Sequence, residues 1–422
     1  MHPGDDATRV VVTGIGVVSP IGIGSEAFWS SLREGRGGIE RLQTYHGDSL
    51  PTKLAAEVSD FDPLQYLPSQ KVLKVMSRDI QLGVAASHMA IVDAGLNRGM
   101  LAPERVGVSF GAGRISSRPE ELSEAARSHG DWNQDSLELI TPMWLLKRLP
   151  NMPACHVSIG LDARGPNNTI TSRDTSALLA LAEGVGVIER GAADCMVVGA
   201  SASFIHPVDL VKLGLVEMLS QRDDDPANAC RPFDAARDGT VLGEGAAAFV
   251  IERIDHARAR GVNCYAEILG VGAGCDGHRG SDPDQAGEGL VHAITAALAG
   301  AGLAPGDLGH INAQAKGAPV EDRVEALALQ RVLGERAGAV PVTALKSYFG
   351  HFDAGAGAVE LAGSLLALRH RFLPATLGFR SPDPGCELDI VSGEGRALEN
   401  PVALSINRSE FGQSAAVVVR AP

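Results

Sequence analysis

The sequence predicts a layered α/β fold in which one structural pattern occurs twice. Short β-branched runs alternate with helical stretches rich in Ala and Leu, which is typical of sheets covered by helices. Two helical stretches, residues 174–191 and 354–371, are small and apolar on nearly every side, so we expect them to be buried between two sheets. Each follows a predicted strand, which indicates an internal duplication. We divide the copies into residues 1–260 and 261–422, two halves of one integrated unit.

The first half alternates strands and helices. Strands are predicted at residues 9–18, 105–113, 167–172 and 194–203. Helices are predicted at residues 25–35, where Ser25 is the expected N-cap, and at residues 79–96 and 174–191.

The second half repeats this order. Strands are predicted at residues 265–274, 308–317, 340–347, 402–407 and 415–421. Helices are predicted at residues 285–302, 321–334 and 354–371.

Composition narrows the class of protein. Of the 422 residues, 45% are hydrophobic and 21% charged, which is ample for a large core. A formal charge of −14 disfavours nucleic acid and anionic membranes as partners. No apolar run reaches the roughly 20 residues that cross a bilayer, and the polar start does not resemble a signal peptide, so we expect a cytoplasmic protein.

No cofactor or metal is expected. The six cysteines are dispersed without a C-x-x-C pair, which indicates neither a zinc site nor a disulfide framework. The Gly-x-Gly at residues 14–16 lacks the third glycine and the acidic residue of a dinucleotide-binding motif.

Several motifs resemble those of one enzyme family. The densest are RGPNNTITSRDTSA, CRPFDAARDGTVLGEGAAAFVIE, INAQAKGAPVEDRVEA, LKSYFGHFDAGAGAVE and INRSEFGQS. Together they resemble the β-ketoacyl-[acyl-carrier-protein] synthases of the thiolase fold, and the match extends over nearly the whole chain. The resemblance implies a duplicated αβαβα layered fold with two buried central helices, and a chemistry that condenses acyl chains held on carrier proteins.

The resemblance also places the reacting side chains. The family's cysteine, at the N-terminus of the first buried helix, corresponds to Asp174. The first of its two histidines corresponds to Gln314, and the second is kept as His351. Two of the three side chains that act on substrate in the family are therefore replaced.

The supporting residues are better kept. The family's lysine is Lys346, and its expected ion-pair partner is Glu360. Phe411 keeps the phenylalanine of the C-terminal glycine-rich loop, near the expected oxyanion and substrate region. Elsewhere that loop is changed, since Ser409, Glu410 and Gln413 stand at positions that are aromatic or glycine in the family.

Asp174 is unsuited to the family's reaction. Exchange of thioesters needs a thiolate that is also a good leaving group, whereas an aspartate would form a mixed anhydride that hydrolyses readily. Decarboxylation is opposed too, because an ionised carboxylate about 4 Å from an enolate repels it by about 4 kcal/mol at an effective dielectric constant of ~20. A hydrogen bond from Gln314 to the enolate oxygen, protonation of Asp174, or pairing of Asp174 with Lys346 or Lys316 would moderate this repulsion.

Structural roles are open for the same residues. Asp174 at a helix N-terminus is expected to cap free N–H groups or to form an ion pair. We interpret Lys346 with Glu360 as structural, His351 as a packing and hydrogen-bonding residue, and Gln314 as a neutral substitute for histidine.

Three functions follow. The first is a non-condensing partner, similar to a chain-length factor, of an active β-ketoacyl synthase in fatty-acid or polyketide biosynthesis, although chain-length factors commonly carry glutamine where Asp174 stands. Its partners would be that synthase, through the strand at residues 167–172, and an acyl carrier protein. The second is an altered enzyme that uses Asp174, His351 and Lys346 for hydrolysis, decarboxylation or acyl transfer. The third is a homodimeric scaffold that binds acyl chains or carriers.

Overall fold

The computed structural model describes residues 9–45, 49–67, 69–113, 118–127, 134, 138–140, 143–277 and 286–422. The strands are β1 (Val10–Ser19), β2 (Gly22–Ile23), β3 (Glu40–Arg41), β4 (Leu54–Ala55), β5 (Val106–Ala112), β6 (Asn167–Ile170), β7 (Cys195–Ser203), β8 (Glu244–Arg253), β9 (Ala266–Cys275), β10 (His310–Asn312), β11 (Pro341–Thr343), β12 (Phe372–Leu373), β13 (Asp389–Ile390), β14 (Arg396–Ala397), β15 (Val402–Arg408) and β16 (Gln413–Arg420).

The α-helices of the described ranges are α1 (Ser25–Glu34), α2 (Arg78–Asp93), α3 (Ser123–Arg127), α4 (Met152–Leu161), α5 (Ser176–Glu189), α6 (Pro207–Gly214), α7 (Ile254–Arg260), α8 (Glu288–Ala301), α9 (Pro319–Leu333), α10 (Lys346–Phe349) and α11 (Ala354–His370). Six of the α-helices in the described ranges, α1, α2, α5, α8, α9 and α11, lie close to the apolar patterns that predicted them, whereas the other five were not predicted. Ser25 was expected to cap α1, but the N-cap is Gly24 and makes no side-chain cap, so that prediction is wrong.

The duplication appears as two sets of strands with the same order. The first half runs β6-β5-β7-β8-β1 and the second runs β11-β10-β15-β16-β9, with β13 added beyond β11. In each set the first three strands are parallel and the next two join antiparallel. Pairing of β1 with β9 over three residues joins the two expected sheets into one hydrogen-bonded path.

The two apolar helices are buried between the two sets of strands, as predicted. Helix α5 packs on β5 and β7 and also touches β16, whereas α11 packs on β7, β8 and β15 and against α5 itself. Every residue of α11 from Ala354 to Leu368 is buried. Helices α2 and α8 occupy equivalent positions on the outside, where α2 covers β1 and β8, and α8 covers β9 and β16.

Close packing of α11 depends on its small residues. A Cβ at Gly357 would lie 2.2 Å from Asn407 Oδ1 and 3.2 Å from the carbonyl oxygen of Asp174. Glycine therefore lets α11 approach both β15 and the segment that begins α5. This approach brings together the residues singled out from the sequence.

Candidate functional site

Four segments meet at the N-terminal end of α5. They are the turn Arg173–Thr175, the loop after β10, the segment from α10 into α11, and the loop between β15 and β16. The parallel strands β5, β6 and β7 all end at this side, and ends of parallel strands are where α/β proteins commonly place their sites. Of the residues singled out in the sequence, Asp174, Gln314, His351, Lys346 and Glu360 lie together here.

Asp174 is fully buried, with 1% of its surface exposed. Its Oδ1 accepts a hydrogen bond from Gln314 Nε2 at 3.0 Å and lies 3.4 Å from His351 Nδ1. The described hydrogen bonds of this carboxylate include none from a backbone N–H of α5, whose N-cap Thr175 also lacks a side-chain cap. Of the two structural roles expected for Asp174, a cap or an ion pair, its contacts do not show the cap, because the carboxylate turns towards Gln314 and His351 rather than back along the helix.

Gln314 has all its hydrogen-bonding capacity in use. Its Nε2 donates to Asp174 Oδ1 and to the Arg408 carbonyl oxygen, both at 3.0 Å. Its Oε1 accepts from Lys346 Nζ at 3.2 Å and from Asn407 Nδ2 at 2.9 Å. An amide has two donors and two acceptor sites, so no N–H remains for a substrate oxygen.

Lys346 and Glu360 form a buried ion pair. Lys346 Nζ lies 2.5 Å from Glu360 Oε1, and neither residue is more than 1% exposed. Asn407 donates to the other carboxylate oxygen, Glu360 Oε2, at 2.8 Å. The pair anchors Gln314 and through it Asp174.

A second ion pair flanks the histidine. Lys316 Nζ lies 2.6 Å from Glu217 Oε2, and both side chains are at most 3% exposed. Glu217 Oε1 lies 3.8 Å from His351 Nε2, so the imidazole sits between Asp174 and Glu217. Glu217 was not singled out from the sequence, although a lone acidic residue among apolar residues 213–219 is an unusual pattern.

A third ionic group lies on the outer side of the site. Arg173 Nη1 lies 3.1 Å from Asp353 Oδ2, and the same guanidinium pairs with Glu410. Arg173 and Asp353 both have positive φ, 55° and 50°, which is uncommon for a residue other than glycine, and Asp353, with ψ −126°, lies outside the left-handed helical region that Asp tolerates. The neighbouring Phe411 points outward and is 46% exposed.

Neighbouring positive charge fixes the ionisation of Asp174. Burial works to raise the pKa of this carboxyl, but positive charge outweighs burial and the pKa lies below its usual value. A protonated His351 would attract the carboxylate most, and Lys316, Arg173 and Lys346 supply the positive charge when the imidazole is neutral. Burial, joined by repulsion from the same lysines and arginine, holds the pKa of His351 well below its usual value in spite of Asp174. At neutral pH the pair is therefore a carboxylate beside a neutral imidazole.

Two further acids beneath the site have raised pKa values. Burial raises the pKa of Glu325 to about 8, and the nearby charge of Asp322 adds to this. Glu325 Oε1 accepts the backbone N–H of Gln314 at 2.6 Å. Burial raises the pKa of Glu360 to about 7, against the attraction of Lys346. No sequence pattern singled out Glu325, which looks like an ordinary charged residue of a helix.

Among the described residues, no thiol takes part in this network. All six cysteines fall in the described ranges and are unpaired in disulfides. Cys230 is linked to the site through one hydrogen bond, which its Sγ donates to the Lys316 carbonyl oxygen at 3.3 Å. Burial raises the pKa of this thiol, which makes it a poor nucleophile.

Neither a metal site nor a membrane span emerges from the described ranges. There, no three His, Cys, Asp or Glu side chains are grouped so as to hold a metal ion. Within the same ranges, no helix combines the length and apolar character needed to cross a bilayer.

The fold and the sequence motifs around this site are those of a class of condensing enzymes. Matches to the two domains of one family agree with this. The β-ketoacyl synthase N-terminal domain matches residues 7–257 and the C-terminal domain matches residues 265–380. The chain therefore belongs to the β-ketoacyl synthase family and has the thiolase-like fold.

Relatives cover almost the entire chain. It is 37% identical over 418 residues to the tetracenomycin polyketide synthase ketoacyl synthase alpha subunit of Streptomyces glaucescens, covering 98% of this chain and 97% of that one. It is 35% identical over 406 residues to 3-oxoacyl-[acyl-carrier-protein] synthase 2 of Coxiella burnetii, covering 96% of each chain. A solved structure of the ishigamide ketosynthase/chain length factor superimposes with a TM-score of 0.88 at 27% identity, covering 99% of this chain and 100% of the other.

Proposed function

We propose that this chain is a non-condensing subunit that pairs with an active β-ketoacyl synthase. The observation that carries the proposal is the buried Asp174 carboxylate at the start of α5, bound by Gln314 and surrounded by ion pairs. We take this position to be that of the family's nucleophilic cysteine. The group present there is ionised, shielded from solvent and engaged with protein partners.

The acyl-transfer step has no suitable nucleophile at this position. A carboxylate that attacked a thioester would give a mixed anhydride, which is more activated than the thioester and returns to acid in water. The cationic neighbours that lower the pKa of Asp174 also weaken it as a nucleophile, because they stabilise the charge it would have to share.

Enolate formation is equally unsupported. Both N–H groups of Gln314 are already donated, to Asp174 and to the Arg408 carbonyl. A substrate oxygen would have to displace one of these bonds and approach the negative charge of Asp174. His351 alone remains of the family's two histidines, and it lies against that same carboxylate.

An open sheet edge is available for a partner. Strand β6 ends the sheet and, among the described strands, pairs only with β5. Val108 N donates to Pro166 O, so alternation directs the backbone groups of Asn168 towards β5 and those of Asn167 and Thr169 towards the edge. A second chain of the same fold can continue the sheet through those groups.

The names of the structural relatives support an assembly of this kind. One of them is an acyl-carrier protein in complex with its ketosynthase bound to a hexaketide, and another is a ketosynthase/chain length factor. By analogy, the partners proposed for this chain are a cysteine-bearing synthase and its acyl carrier protein, in polyketide or fatty-acid synthesis.

Co-expression with the cysteine-bearing β-ketoacyl synthases of the source organism tests the proposal. We expect a one-to-one heterodimer by native mass spectrometry, and extension of malonyl-carrier substrate by the pair but not by this chain alone. Thr169→Pro removes an outward N–H and should abolish pairing, whereas the control Thr169→Val keeps that N–H and should pair normally. A homodimer in place of the pair would favour the scaffold function. Turnover by this chain alone, lost in Asp174→Ala, would favour the altered enzyme, and either result contradicts the proposal.

A further inference from the structure

The ion pairs of Arg173 connect three segments that surround the proposed nucleophile position. Arg173 immediately precedes Asp174, Asp353 immediately precedes α11, and Glu410 belongs to the loop between β15 and β16. One guanidinium bridges the two carboxylates, at 3.1 Å to Asp353 Oδ2 and in closer contact with Glu410. The three residues therefore fix the turn, the helix start and the loop relative to one another.

Two of the three side chains, those of Arg173 and Glu410, are more exposed than Asp174. Exposure of the side chains is 12% for Arg173, 5% for Glu410 and 0% for Asp353, while Asp174 is 1% exposed as a residue. Phe411, one position beyond Glu410, is 46% exposed, so the loop passes from the site to the surface within one residue. An acyl group that approached past Arg173 and Glu410 would meet their ion pair before it met Asp174.

The backbone at two of the three residues adopts angles that neighbouring contacts must stabilise. Arg173 and Asp353 both adopt positive φ, which the surrounding structure must compensate. The charge pairing between these two residues provides that compensation directly, because each sits at the strained position of its own segment. If the pairing is lost, both segments are free to relax to ordinary backbone angles.

We propose that Arg173, Asp353 and Glu410 form an ionic latch that closes the Asp174 site to acyl groups. The inference rests on the proposed function in taking Asp174 to stand where the family's nucleophile stands, but it does not depend on any partner. The latch would keep acyl groups away from a carboxylate that cannot transfer them. Arg173 acts here as a positioning residue and not as a catalytic one.

A thiol placed at position 174 reports on closure. In the full chain carrying Asp174→Cys, iodoacetamide labelling is followed by mass spectrometry of the peptide that contains position 174. Exposed Cys275 and buried Cys230 serve as internal standards in the same molecule. We expect the reporter to label on the order of tenfold more slowly than Cys275, although nearby Lys316 and Arg173 favour its thiolate form.

Opening the latch should release the reporter. Adding Arg173→Met, or the milder pair Asp353→Asn with Glu410→Gln, should raise the labelling rate on the order of tenfold while Cys230 stays slow. The milder pair preserves shape and serves if Arg173→Met does not fold. The control Arg190→Met breaks an exposed ion pair with Glu183 at the far end of α5 and should leave the rate unchanged.

Two results would overturn the latch. One is a reporter that labels as fast as Cys275 with Arg173, Asp353 and Glu410 intact, and the other is a rate unchanged in every folded latch variant. Neither result bears on subunit pairing, which is measured in a separate experiment. A chain that has an intact latch but binds no synthase would contradict only the proposed function.

Discussion

Glu325 makes this protein less stable as pH rises, and Glu325→Gln should remove that loss. The carboxyl is 3% exposed and its pKa is about 8, against a usual value of 4.5. Because the folded chain holds the proton more tightly than the unfolded chain, stability falls between about pH 4.5 and pH 8. At about 1.4 kcal/mol per pH unit, the loss between pH 5 and pH 8.5 is about 4 kcal/mol.

Urea unfolding at pH 5 and pH 8.5 measures this contribution. In Glu325→Gln the new amide oxygen can still accept the Gln314 N–H that the carboxyl now accepts at 2.6 Å, so little else changes. The variant should match the native chain at pH 5 and exceed it by about 4 kcal/mol at pH 8.5. Glu335→Gln, at an exposed position, should follow the native chain at both values. If the native chain and Glu325→Gln lose stability in parallel, the account of Glu325 is refuted.

Three other substitutions probe the site. Lys346→Met leaves Glu360 buried without its cation and should lower the free energy of unfolding by about 3 kcal/mol. Lys346→Met combined with Glu360→Gln should lower it by less, as measured by a double-mutant cycle in urea. Lys316→Met removes the cation paired with Glu217 and should destabilise the protein by about 3 kcal/mol at pH 8. The loss should be smaller at pH 5, because burial already raises the pKa of Glu217 and the unpaired acid takes up a proton there. Equal losses at both pH values would contradict this. Gly357→Ala places a Cβ 2.2 Å from Asn407 Oδ1 and should lower stability by about 1–3 kcal/mol, with a lowered melting temperature as the readout; a neutral result would show that α11 can shift.

The sequence predicted elements whose patterns are local. Helices α5 and α11 follow from apolar residues on every side, and the strands from β-branched runs. Strand β8, Glu244–Arg253, was not assigned because one glycine and three alanines fill its first half and only two of its residues are β-branched. Helix α4 was missed because it is apolar without a polar face. In both cases the tertiary packing decides the structure.

The site was predictable in its membership and not in its contacts. Motifs placed Asp174, Gln314, His351 and Lys346 near one another, since the resemblance supplied their positions. The full use of Gln314 and the direction of the Asp174 carboxylate depend on side-chain geometry from distant segments. The roles of Glu217 and Glu325 depend on burial, which one sequence does not reveal for a charged residue in a helix or loop.

The short junction between β1 and β9 has a consequence for biosynthesis. Val10, Val11 and Val12 are made well before residues 266–268, their partners on one side. During synthesis, this edge of β1 therefore stays unpaired until residues 266–268 have left the ribosome. Long sequence separation of this kind slows folding and exposes an aggregation-prone edge. The yield of folded protein should accordingly depend on chaperone capacity more than that of a chain with local pairing.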